Sequence, residues 1–119
     1  MRNSKFAAIV WAMFLIVPSA GLAYPVQGLG ATSCGSFAKM YQGDPDNTES
    51  MFFMWAQGFM SSWNMSVMAA KKTPRELAGP LVDQKRALRT FCAENPLKNY
   101  MDGVLELYGN LPYFRENSN

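Results

Sequence analysis

The sequence contains no histidine, which removes the commonest general base, proton shuttle and zinc ligand together. Ser/His/Asp and Cys/His mechanisms are excluded with it. Cysteine is limited to Cys34 and Cys92, neither in a C-x-x-C motif nor beside a histidine, which argues against a reactive thiol. No phosphate-cradling glycine loop or dinucleotide fingerprint is present. No Lys/Arg cluster is interleaved with aromatics, so nucleic acid is not an expected partner. Paired carboxylates alone can hydrolyse a glycoside, but the nine Asp and Glu are scattered over expected loops and helix faces. Asp102 and Glu106, at i, i+4, read as solvated. The chain is therefore expected to be non-enzymatic, with no cofactor and no metal.

The N-terminus reads as an export signal. Arg2 and Lys5 form a positive region, residues 6–17 an apolar one, and Pro18 breaks that helix. Gly21-Leu22-Ala23 fits a small-residue cleavage site, which makes Tyr24 the mature N-terminus. As a membrane anchor the apolar run falls short of the roughly 20 residues a span needs. No cysteine follows it, so no lipoprotein anchor is indicated. The expected location is periplasmic or secreted, with no membrane association after cleavage. The whole chain has 11 Lys and Arg against 9 Asp and Glu. Two of those cations are Arg2 and Lys5, so the mature part is neutral. About 96 mature residues bury only a modest core, and domains of that size are marginal without reinforcement. In an oxidising compartment Cys34 and Cys92 are expected to supply it as a disulfide.

What the sequence does have is residues 50–70, SMFFMWAQGFMSSWNMSVMAA, without one charge. Wound as a helix, this stretch shows two apolar faces. Phe52, Trp55, Ala56, Phe59, Met60, Trp63 and Val67 fall on one. Met51, Met54, Gly58, Ser61, Ser62, Met65 and Met68 fall on the other. Gln57 and Asn64, beside Phe53, form a narrow polar strip. Such a pattern predicts burial on both sides. The aromatic face should build the core, and the Met face should meet a second layer or another subunit. Met51, Met54, Gly58 and Met65 are the expected homodimer face. Thioethers select Cu(I), but with no Cys or His to complete a site, methionines at helical spacing read as core filler or an adaptable binding face.

Around this helix the chain reads as an all-α, small four-helix bundle with one disulfide. Residues 24–32 are expected to be flexible and extended, residues 33–112 to form the helical domain, and residues 113–119 to be a loose tail. Ser33 should cap a first helix over 34–40, with Phe37 and Met40 inward. Asp46, Asn47 or Thr48 should cap the central helix after the turn cluster 43–47. Thr73-Pro74-Arg75-Glu76 has the form of a capping box opening a short turn. A third helix from Pro80 should carry Leu81, Leu88, Phe91 and Cys92 inward. Leu97, Tyr100, Met101, Val104, Leu105, Tyr108 and Leu111 form one stripe of a fourth. Asn64-Met65-Ser66 matches a glycosylation sequon inside a predicted helix, where chance is the simpler reading. Lys71, Lys72, Thr73, Pro74 and Arg75 form the most prominent charged loop. A stiff basic loop suits an acidic cleft on a partner, whereas the plainer reading is a solvated connection.

Trp55-x-x-Gly58-Phe59, then Phe91-Cys92-x-x-x-Pro96, then the stripe from Val104 to Leu111-Pro112 resemble the small helical periplasmic proteins of the Rap/Tai immunity-protein type, related to HdeA. This likeness extends over residues 33–112. It implies a dimer that binds a protein: Rap/Tai proteins plug the active site of a secreted cell-wall amidase, and HdeA-like proteins are acid-activated chaperones for unfolded clients. The immunity proteins commonly carry a further cysteine beside the Gly-aromatic motif, where this chain has Trp55 and Gln57. Inhibition of a secreted toxin is the leading specific expectation and an acid-stress chaperone the runner-up, beside a structural or envelope-interaction role with neither activity.

Overall fold

Ser33 accepts the backbone N–H of Ser36 at 3.2 Å and starts the first helix where its sequence predicts. The computed structural model describes residues 25–116; the expected export segment and residues 117–119 lie outside the described residues. Four helices, α1 (Cys34–Gly43), α2 (Pro45–Ala69), α3 (Leu81–Glu94) and α4 (Tyr100–Asn110), follow a 3₁₀ turn at Gly28–Ala31. There is no extended strand among the described residues. The chain is an all-α bundle, as expected.

The turn cluster 43–47 proves narrower than its composition suggests. Asp44 serves both neighbours: its N–H donates to Met40 O at 3.0 Å to close α1, and its carboxylate accepts from Asn47 N at 3.4 Å to open α2. Pro45 then occupies the first position of α2, where a missing N–H costs nothing. The central helix thus begins before the expected caps at residues 46–48. Glu49, on its second turn, forms an ion pair with Arg89 of α3.

The core is centred on three rings. Phe37 of α1, Phe52 of α2 and Tyr100 of α4 have centroids 4.9–5.1 Å apart. Ala56, Met60, Leu88, Phe91, Val104, Leu107 and Tyr108 extend the same cluster. Beside it the Cys34–Cys92 disulfide joins the start of α1 to the end of α3. Cys34 N and Gly35 N donate to Lys98 O and Pro96 O at 2.8 and 3.0 Å. The α3–α4 connection thereby satisfies donors that a helix start leaves open. Gly103 lets α4 approach α3, because a Cβ there would lie 2.7 Å from Phe91 Cδ1.

Several expectations need correction. Residues 25–32 do not simply extend: the 3₁₀ turn is seated by Trp55, whose indole covers Gly30 so closely that a Cβ would fall 2.0 Å from it. Phe53, placed with the polar strip, is buried, and the Lys85 ammonium lies 5.4 Å from its ring centroid. Met40 and Leu81 are exposed, Leu97 is 97% exposed before α4 begins, and Leu105 yields its expected place to Leu107. Most importantly, α2 is buried on one side only. Phe52, Phe53, Ala56 and Met60 are buried, but Met51, Met54, Met65 and Met68 are 40–69% exposed. The other elements cover the aromatic face, and among the described residues no second layer covers the methionines.

Candidate functional site

From Ser50 to its end at Ala69, α2 is uncharged, so how the basic loop after it is held depends on the few polar groups nearby. Lys71 adopts φ 56°, a left-handed conformation that ends helices. Its N–H donates to Met68 O at 2.8 Å, and Lys72 N donates to Val67 O at 3.0 Å. The chain then turns back along α2 and meets Asn64. Asn64 Nδ2 donates to Arg75 O at 2.8 Å, and Arg75 N donates to Asn64 Oδ1 at 2.9 Å. Tyr108 Oη donates to the same Oδ1 at 2.7 Å. Burial pushes the Tyr108 phenol pKa above its ordinary value, while the Arg75 guanidinium acts in the opposite direction. With this amide engaged twice by the Arg75 backbone, the sequon at Asn64 reads as coincidence.

The capping box expected at residues 73–76 does not form. Arg75 instead makes an antiparallel bridge with Tyr113; Glu76 N donates to Pro112 O at 2.8 Å and Phe114 N to Pro74 O at 2.9 Å. Glu76 Oε1 accepts from Ala78 N at 2.8 Å. Two extended pairings win over one helical turn because Gly79-Pro80 leaves too little room for a helix to propagate. The expected loose tail is therefore tied down as far as Phe114.

The five residues expected to bind a partner fall into two groups. Lys71, Lys72 and Thr73 are exposed, whereas Pro74 and Arg75 are half-buried. Arg75 is part of the scaffold: Nη1 donates to Leu111 O at 2.7 Å, and the guanidinium carbon lies 4.0 Å from the Tyr113 ring centroid. On the inner side of the loop lies an open groove of about 660 Å³. Val67, Tyr108 and Tyr113 form its apolar wall, and Lys72, Thr73 and Arg75 its polar end. The ion pairs among the described residues are Arg86–Asp83 and Arg89–Glu49, so neither uses a loop cation. Trp63, with its ring centroid 5.5 Å from that of Tyr108, borders a separate, smaller groove together with Phe59, Ser62 and Ser66.

The expected dimer face is a second surface. Met51, Met54, Gly58 and Met65 are all exposed, and a Cβ added at Gly58 would meet nothing within 4 Å. Asn64, Trp63, Tyr108 and Tyr113 were not singled out as site residues from the sequence. The one available signal was Asn64 itself, an amide in the charge-free stretch of α2 whose burial requires partners.

No family model, curated protein or solved structure matches the chain. Among the described residues no group of three or more His, Cys, Asp or Glu is placed to hold a metal ion, and no helix is long and apolar enough to cross a membrane.

Proposed function

We propose that this is an exported, non-enzymatic protein that acts by binding another protein, with immunity-type inhibition of a cell-wall-degrading toxin as its specific role. The observation that carries the reading is the loop 71–75. Its two exposed lysines have no carboxylate partner among the described residues, and its backbone is held at both polar groups of Arg75 by Asn64. A pre-ordered basic projection loses little freedom on entering an acidic cleft. The resemblance of Trp55-x-x-Gly58-Phe59 and Phe91-Cys92-x-x-x-Pro96 to Rap/Tai proteins points the same way. The Met51, Met54, Gly58, Met65 face would pair two copies. The test is periplasmic co-expression with a secreted cell-wall amidase encoded beside this gene. Protection from lysis that is lost with Lys71→Ala/Lys72→Ala is expected; lysis unchanged by the wild-type protein removes the inhibitor reading.

A second reading, an HdeA-like acid-stress chaperone, is favoured by the exposure of four methionines along one helix face. Adaptable thioether surfaces suit unfolded clients. Suppression of client aggregation at pH 2 to 3, compared with a helical protein of similar size, decides it. Protection no better than the control eliminates the chaperone.

A further inference from the structure

The groove beside the basic loop has a composition that the loop alone does not convey. Its polar residues are Lys72, Thr73 and Arg75, and among the described residues no acidic one lines it, Glu116 bordering the neighbouring pocket that shares Lys72 and Thr73. Arg75 Nη1 is committed to Leu111 O, but a guanidinium has five N–H donors, and stacking on Tyr113 fixes its plane. Lys72 has no ion pair among the described residues. The remaining wall is Val67 and the two tyrosine rings, so an occupant must bring apolar surface together with negative charge. At about 660 Å³ the groove is larger than one small anion would fill.

We propose that this groove binds an acidic peptide segment of the partner protein, with a carboxylate at Lys72, Thr73 and Arg75 and the neighbouring apolar side chain against Val67, Tyr108 and Tyr113. The assignment rests on the protein-binding reading above and names the chemistry of the bound segment. Charge complementarity selects the acid. The aromatic wall selects the residue next to it, since an isolated carboxylate would leave that wall uncovered. Asn64 already positions the Arg75 backbone and Tyr108, and Tyr113 is held by its bridge to Arg75, so binding requires ordering of Lys72 alone among the charged groups.

The probes are two acetylated, amidated pentapeptides that differ only in a central Phe-Asp or Phe-Asn, with sodium acetate as a third. Titrated into isotopically labelled protein, the Phe-Asp peptide should shift the amides of Val67, Thr73 and Tyr113 and bind about three- to tenfold more tightly than its Phe-Asn counterpart. Lys72→Gln should abolish that preference, while Lys39→Gln, at an exposed position on α1, should retain it. Equal binding of both peptides, or no shifts at residues 67–73, overturns the assignment. Acetate matching the Phe-Asp peptide also overturns it, by reducing the groove to a general anion site. The amidase protection assay separates the two levels: protection without peptide binding removes this groove and leaves the protein-binding function standing.

Discussion

Asn64 holds Arg75 by both backbone polar groups, donating to its carbonyl at 2.8 Å and accepting from its N–H at 2.9 Å. A side-chain amide thus stands in for a neighbouring strand, and it lets an extended segment run alongside a helix. On the far side of that segment, residues 112–114 complete the pairing. The order of the basic loop consequently depends on a residue eleven positions before Arg75 in the chain, in the uncharged stretch of α2.

Replacing Asn64 with Ala removes three partly buried hydrogen bonds, counting that from Tyr108. The expected loss is about 2–3 kcal/mol at roughly 1 kcal/mol per bond, measured by urea unfolding. Hydrogen exchange at Arg75, Glu76 and Phe114 should accelerate in parallel. Arg75→Ala should also destabilise, through Leu111 and Tyr113, whereas Lys71→Ala and Lys72→Ala should stay within about 0.5 kcal/mol of wild type. An Asn64→Ala variant as stable as the parent contradicts this account of the loop.

Two helical glycines should respond in opposite directions. Gly103→Ala places a methyl 2.7 Å from Phe91 Cδ1 in the core, and overpacking of that kind costs about 1–3 kcal/mol. Gly58→Ala meets nothing within 4 Å and should stabilise the monomer fold by up to about 1 kcal/mol through helix propensity. If the Met face pairs two copies, Gly58→Leu should shift the sedimenting mass from dimer to monomer while the helix content holds. A wild-type protein already monomeric at micromolar concentration would assign that face to a different partner.

The Cys34–Cys92 bridge spans 58 residues of sequence. On the chain-entropy model, closing such a loop constrains the unfolded state by roughly 4 kcal/mol. Periplasmic material, denatured without reductant, should show no free thiol. Replacing both cysteines with Ala should lower stability by about 2–4 kcal/mol, and calorimetry showing an unchanged melting temperature would deny the bridge its role.

Alkaline pH should be the sensitive side of the stability profile. Tyr100 is buried between Phe37 and Phe52; burial raises its pKa, and the Glu49 carboxylate raises it further. A folded pKa above the unfolded value of about 10 gives stability that is complete below pH 10 and is lost as pH rises towards the folded value. With no imidazole in the chain, melting temperature should be level from pH 6 to 9 and fall above 10. Tyr100→Phe should make that fall shallower. An equally steep decline in the variant would place the titration elsewhere.

Much of this architecture follows from local sequence. The helices, the Ser33 cap, the Cys34–Cys92 pairing and the inward positions Phe37, Phe52, Leu88, Phe91 and Val104 are governed by periodicity, side-chain capping and the existence of just two cysteines. Those properties act over a few residues or allow one solution. Tertiary structure decided the rest. Periodicity states that the Met face of α2 is apolar, but whether anything covers it depends on how many elements the chain supplies, and they were used on the aromatic face. Trp55 could not be matched to Gly30 from spacing, because that contact joins segments whose approach is set by the whole bundle. The capping box at Thr73-Pro74-Arg75-Glu76 was a sound local signal that lost to longer-range pairing with Asn64 and residues 112–114. A short turn offers one or two hydrogen bonds, whereas the folded bundle brought three partners to the same backbone.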